Sequence, residues 1–240
     1  DKTFPGYDTL YHYDPQADRD AKTSPYDLEM RDDPDARDYD LTGLKGTAEF
    51  ALEDSETLRA DLYYTIRIKR DLREIPFFVS RLRQTQSESQ ESKAPQLTVN
   101  GIQDGEGRDM TWVKLGPSFG YIILPQKVPA NTTMTFRFQF ENKAGIYALT
   151  PTYSFVSRFG WMPFVRFTDM INDFHLTLKV PARYKALGIG RIVSDKVANG
   201  VRSTEYVADS PVEFPSVIFG DYLGRESSFK TTKSDGSAIP

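Results

Sequence analysis

Two histidines, His12 and His175, are the side chains best suited to move protons or hold zinc near neutral pH. Neither lies in an HExxH, and a conventional zinc hydrolase site gathers two or three histidines. A self-contained catalytic zinc centre is therefore not expected. His175 follows Phe174 and precedes Leu176, so strand alternation turns it away from the apolar face, as a surface or interface residue. His12 sits among Tyr11, Tyr13 and Asp14 and reads as an ordinary polar contact. The chain has no cysteine, which removes disulfides, thiolate nucleophiles, Fe–S clusters and cysteine zinc sites. Adjacent carboxylates occur at Asp32-Asp33 and Glu53-Asp54. Glycosidase chemistry needs two carboxylates about 5–9 Å apart across a cleft, whereas neighbours in an Asp-rich stretch are solvated. Gly188-Ile189-Gly190 is half of a dinucleotide fingerprint, without the third glycine or a following helix. Asn131-Thr132-Thr133 is a glycosylation sequon of a kind that chance often produces. No residue is assigned a catalytic, cofactor-binding or metal-binding role.

The elements that would carry any site are β-strands. Leu58, Ala60, Leu62, Tyr64, Ile66 and Ile68 are apolar at every second position, and Arg59, Asp61, Tyr63, Thr65 and Arg67 fill the other face. Period two means one buried face and one wet face. The alternation returns at Met134–Phe140 and at Phe174–Val180. Shorter candidates are Ala48–Leu52, Phe77–Leu82, Leu97–Val99, Trp112–Leu115, Tyr121–Leu124, Ile189–Val193, Ser203–Ala208 and Val217–Tyr222. Turn chemistry separates them at Asn100-Gly101, Asp104-Gly105, Pro129-Ala130-Asn131, Asn199-Gly200 and Asp235-Gly236. No helical period runs beyond two turns. The expected fold is all-β, an antiparallel β-sandwich or a large curved, saddle-like sheet.

Charge divides the chain. Residues 1–40 hold 12 acidic and 5 basic residues, leaving 22 acidic and 25 basic for the other 200 of the 240. An acidic arm (1–40), broken by prolines, thus precedes a slightly basic β domain (41–226). Its tyrosines Tyr7, Tyr11, Tyr13 and Tyr26 would pin it to the body. Within the domain, residues 84–96 are polar and low in complexity, a mobile loop between strands. Residues 227–240 read as a truncated edge strand or the start of a linker. The net charge of −4 argues against a general nucleic-acid binder. No run approaches the roughly 18 apolar residues that span a bilayer. The chain opens on Asp1 without Met or a signal h-region, as a processed or trimmed product would.

Aromatic residues crowd one stretch: Tyr153, Phe155, Phe159, Trp161, Phe164 and Phe167. In a β protein such residues pack the core or a domain interface. A carbohydrate platform would use the same residues with exposed, coplanar rings.

One ordered series is more specific. Trp161-Met162-Pro163 is followed by Asn172-Asp173-Phe174-His175-Leu176-Thr177-Leu178-Lys179-Val180-Pro181-Ala182-Arg183-Tyr184 and Gly188, then Pro215 and Phe219-Gly220-Asp221-Tyr222. Upstream stand Asp40–Leu52, Leu97-Thr-Val-Asn-Gly101 and Leu124–Phe140 with its alternating Phe. Over residues 40–240 this series resembles the N-terminal β domain of the gluzincin zinc aminopeptidases, the family of membrane alanyl aminopeptidase and leukotriene A hydrolase. The resemblance implies a non-catalytic domain that packs against a downstream thermolysin-like catalytic domain and lines its peptide cleft. Zinc, HExxH and the distal Glu would belong to that domain, which this chain does not contain. Two departures stand out. Residues 147–153 (Tyr147-Ala-Leu-Thr-Pro-Thr-Tyr153) lack the family's substrate-contacting Gln, and Arg158–Pro163 lacks its Cys. No catalytic residue is carried over.

The same resemblance points to residues 150–169 as the wall-forming loop, with Tyr153, Arg158, Trp161, Pro163, Phe164 and Arg166 at the interface or cleft and Trp161 as anchor. Implied partners are the catalytic domain and, through it, a peptide substrate. The implied setting is a bacterial, exported protein. The rival expectation is a free-standing binding module for carbohydrate or protein.

Overall fold

The structure, a computed structural model, describes residues 39–52, 57–78, 97–115, 119–143, 146–150, 153–156, 161–163, 170–213 and 215–222. Among them run fourteen strands and no helix. They are β1 (Tyr39–Ala51), β2 (Thr57–Ile68), β3 (Leu72–Phe78), β4 (Leu97–Asp104), β5 (Thr111–Leu115), β6 (Phe119–Val128) and β7 (Thr133–Asn142). There follow β8 (Ile146–Thr150), β9 (Tyr153–Val156), β10 (Asp173–Pro181), β11 (Lys185–Leu187), β12 (Arg191–Ala198), β13 (Val201–Val207) and β14 (Ile218–Gly220).

The large sheet has seven strands in the order β12-β13-β10-β1-β2-β7-β4. Its registers bring the alternating apolar positions opposite one another: Leu44 faces Tyr64, Leu62 faces Phe138 and Ala60 faces Phe140. Each such buried aromatic or aliphatic side chain contributes about 1.5–3 kcal/mol. At Gly46 (φ 141°) a Cβ would lie 2.1 Å from the Asp61 carbonyl oxygen, so the close approach of β1 to β2 requires glycine there.

Two smaller sheets cover the apolar face, one of order β3-β6-β5 and one of order β11-β14-β9-β8. Phe77 meets Phe138 edge to face at 5.4 Å and ties the three-stranded sheet to the large one. Phe50 meets Phe219 at 5.1 Å and does the same for the four-stranded sheet. Buried hydroxyls reinforce both seams: Tyr39 donates to the Pro76 carbonyl at 2.5 Å and Tyr206 to the Ala186 carbonyl at 2.7 Å. The result is the expected all-β layered fold, with sheets not closed into a barrel.

Three details differ from the sequence expectation. The sheets are not all antiparallel: β1 and β10 run parallel, Leu44 opposite Phe174 and Ala48 opposite Leu178. Strands so far apart in sequence leave no local turn signal of their relative direction. Asn100-Gly101 is not a turn but lies inside β4, where the register with β7 shifts between Val99 and Gly101. Long-range pairing to β7 overrides local turn preference there, and the surplus residue becomes a bulge. Strand β1 also starts at Tyr39, within the stretch grouped with the arm. The rest of the arm, residues 79–96 and the Asp235-Gly236 turn lie outside the described residues.

Candidate functional site

The described parts of the aromatic stretch, at Val156, Trp161 and Ile171, bond to Val217, Pro215 and Val212. At its entry the Val156 N–H donates to the Val217 carbonyl at 3.0 Å. At its middle Trp161 is fully buried, and its indole N–H donates to the Pro215 carbonyl at 2.8 Å. Met162 and Pro163 are buried beside it. At its exit Ile171 and Val212 exchange backbone hydrogen bonds of 2.8 and 3.0 Å. A large side chain with one polar atom, satisfied by a carbonyl, makes a stiff anchor. Arg158, Phe164 and Arg166 lie outside the described residues, as does His12.

Tyr153 leads to a surface that the sequence reading missed. In the four-stranded sheet, Leu187, Ile218 and Phe155 stand opposite one another in one row, with Lys185, Gly220 and Tyr153 in the parallel row two residues along. These rows share the outer face, because Ala186 and Phe219 in the row between are buried. Leu187 is 39% exposed, Ile218 42% and Tyr153 36%. Tyr222 packs edge-on against Tyr153 at 4.9 Å with the rings 65° apart. Burial, and secondarily Tyr153, raises the Tyr222 hydroxyl pKa. Rings so inclined do not form a coplanar stacking platform. The missed signal was phase: in Val217-Ile218-Phe219, Val217 and Phe219 are buried and Ile218 points out.

The outer face of the seven-stranded sheet is different in kind. Arg137 holds Asp61 through two nitrogens, one contact being Nε to Oδ1 at 2.7 Å, and reaches Gln103 Oε1 at 3.0 Å. The Arg137 hydrogen bond, with a smaller contribution from its charge, lowers the Asp61 pKa against the opposing effect of burial. Arg67 pairs with Asp40 at 2.8 Å, Arg59 with Glu141 at 3.1 Å and Lys45 with Asp173 at 2.6 Å. His175, half-buried on this face, meets Glu205 at 2.5 Å. Among the described residues, no three His, Asp or Glu side chains converge to hold a metal ion. His175 and Glu205 fall short of a zinc ligand set.

One further motif was passed over. Gly116-Pro117-Ser118-Phe119-Gly120 matches the G-x-S-x-G spacing of a nucleophile elbow. That elbow needs a helix directly after its serine, whereas Phe119 and Gly120 open strand β6, an antiparallel neighbour of β5. The match is therefore one of spacing alone. No described helix is long and apolar enough to cross a membrane.

No family model matches the chain. No curated protein matches it either. Solved structures do share its fold. An M1 zinc metallopeptidase variant from Deinococcus radiodurans, bound to a Tyr-Ser-Ala substrate, superposes with a TM-score of 0.66 at 16% identity, over 83% of this chain and 46% of that one. The M1 zinc metallopeptidase of the same organism gives 0.61 at 16% identity, over 77% and 43%. Legionella pneumophila aminopeptidase A, in complex with aspartic acid, gives 0.59 at 12% identity, over 85% and 24%. This chain thus matches less than half the length of the structures named. At these identities the likeness is one of fold.

Proposed function

We propose that this chain is the non-catalytic β domain of a zinc-aminopeptidase-like protein, packing against a thermolysin-like catalytic domain and forming one wall of its peptide cleft. One observation carries the reading: the fold is shared over 83–85% of this chain but over only 46% and 24% of the metallopeptidase structures it matches. The outer face of the four-stranded sheet supports it. Leu187 and Ile218 in one row and Tyr153 in the next are exposed there, and an inter-domain seam within one polypeptide uses such a surface. On this reading zinc and its ligands belong to the catalytic domain, and the β domain contacts peptide only by shaping the cleft. An exported bacterial setting accompanies the same reading.

The test is to sequence the reading frame on both sides of this chain and to assay the full product. An HExxH with a distal Glu downstream, and aminopeptidase activity lost on chelation, are the expected results. Aminoacyl hydrolysis by the purified 240-residue chain alone would overturn the proposal, as would a complete frame with no second domain. In the full product, Leu187→Lys with Ile218→Lys should loosen the seam, read as faster proteolysis between domains with unchanged folding of the β domain.

A further inference from the structure

Asparagine followed by glycine occurs twice, at Asn100-Gly101 and Asn199-Gly200, and the fold treats the two pairs oppositely. We propose that Asn199 is a site of covalent modification, namely spontaneous deamidation, and that the fold protects Asn100. The reaction needs water alone. The Gly200 backbone nitrogen loses its proton to solvent base and attacks the Asn199 side-chain carbonyl carbon. A new C–N bond closes a five-membered imide, and the side-chain nitrogen leaves as ammonia. Water then opens the ring, at the side-chain carbonyl to give aspartate or at the backbone carbonyl to give isoaspartate.

Ring closure asks for a backbone rotation that only one of the two sites allows. Asn199 and Gly200 form the exposed two-residue turn between β12 and β13, with φ of 51° and 77°. Two positive φ values identify a type I′ turn. The imide requires Asn199 ψ near −120°, roughly the value of the first central residue of a type II′ turn. Flipping the single peptide unit between Asn199 and Gly200 converts one turn into the other. Gly200 tolerates either sign of φ, and a Cβ built on it would meet nothing within 4 Å. The flip also spares the tether at the tip, because the Ala182 N–H binds the Gly200 carbonyl (2.8 Å), which lies outside the flipping unit.

At Asn100 the same rotation would tear a ladder. Val99 is paired with Phe140 and Gly101 with Gln139, so both neighbours of the bulged Asn100 are seated in the ladder with β7. Once formed at position 199, isoaspartate lengthens a two-residue turn by one backbone carbon and adds a negative charge. The Ala198–Val201 pairing that closes the hairpin cannot keep its register across the longer link.

The experiment incubates the native 240-residue chain at mildly alkaline pH and follows each asparagine by peptide mapping with mass spectrometry, with a parallel sample in concentrated urea. The native chain should convert Asn199 roughly tenfold or more faster than Asn100, a barrier difference of at least about 1.4 kcal/mol. In urea the two rates should converge, because both sites share the same following glycine. Equal native rates, an unchanged ratio in urea, or an inert Asn199 would each overturn the proposal. Because this readout involves neither zinc nor a second domain, it stands or falls apart from the proposed function.

Discussion

The two outward-facing sheet surfaces of this domain solve the same problem in opposite ways. Across the central strands of the seven-stranded sheet, outward side chains pair: Asp61 with Arg137, Asp40 with Arg67, Asp173 with Lys45, while Ile192 and Val197 on its edge strand β12 are exposed and apolar. On the four-stranded sheet Leu187 and Ile218 are exposed and apolar, with Tyr153 and Lys185 in the next row. A surface whose charges are already matched has little to gain from a partner. An open apolar row gains free energy when covered, at about 25 cal/mol per Å². Exposure alone does not mark a docking face; it is the absence of polar pairing on an exposed face that does.

Four substitutions sharpen or break that contrast. The largest effect belongs to Trp161→Ala, which removes a fully buried side chain bonded to the Pro215 carbonyl and should cost about 3–5 kcal/mol in urea unfolding. A loss well under 1 kcal/mol would mean that the loop and the 212–217 segment do not form one packed unit. Tyr64→Phe comes next and has the opposite sign. Among the described residues the buried Tyr64 hydroxyl has no hydrogen-bond partner, and its burial pushes its pKa well up. Removing it should stabilise the domain by about 1 kcal/mol, and a clear destabilisation would show that the hydroxyl is satisfied.

Asp61→Asn probes the paired face and should cost about 0.5–1 kcal/mol, since the ion pair is only partly shielded from water. Because folding lowers the Asp61 pKa, the stabilisation is full above the unfolded-state value of about 3.9. It fades as pH falls through the lower folded-state value. Wild type and Asp61→Asn should therefore converge in stability toward strongly acidic pH, and a gap that widens there would refute the assignment. The smallest effect is expected for Leu187→Lys with Ile218→Lys in the 240-residue chain. Both side chains already face water, so stability should move by no more than about 0.5 kcal/mol. A larger loss would place these residues in the core and remove the contrast itself.

Much of the layout was readable from residues. Leu58 to Ile68 announced both the inner face of β2 and its polar back, because period two leaves no other assignment. Asn199-Gly200 announced a hairpin, since few pairs accept two positive φ values so readily. Asn100-Gly101 carried the same local signal and misled, because a bulge in a long-range ladder and a tight turn draw on the same permissive residues. Leu187 and Ile218 escaped notice, because which side of a three-residue strand faces out depends on what packs against it. The G-x-S-x-G spacing at 116–120 shows the converse, a motif deprived of meaning by the antiparallel hairpin around it.

Alternation and turn chemistry, both properties of neighbouring residues, were enough to indicate the all-β fold seen in the described residues. The parallel seam between β1 and β10, the bonds of Val156, Trp161 and Ile171 to Val217, Pro215 and Val212, and the exposure of Leu187 and Ile218 were settled only in three dimensions. Each involves strands or loops distant along the chain, and such contacts are chosen by collective packing rather than by any local preference of the residues that make them.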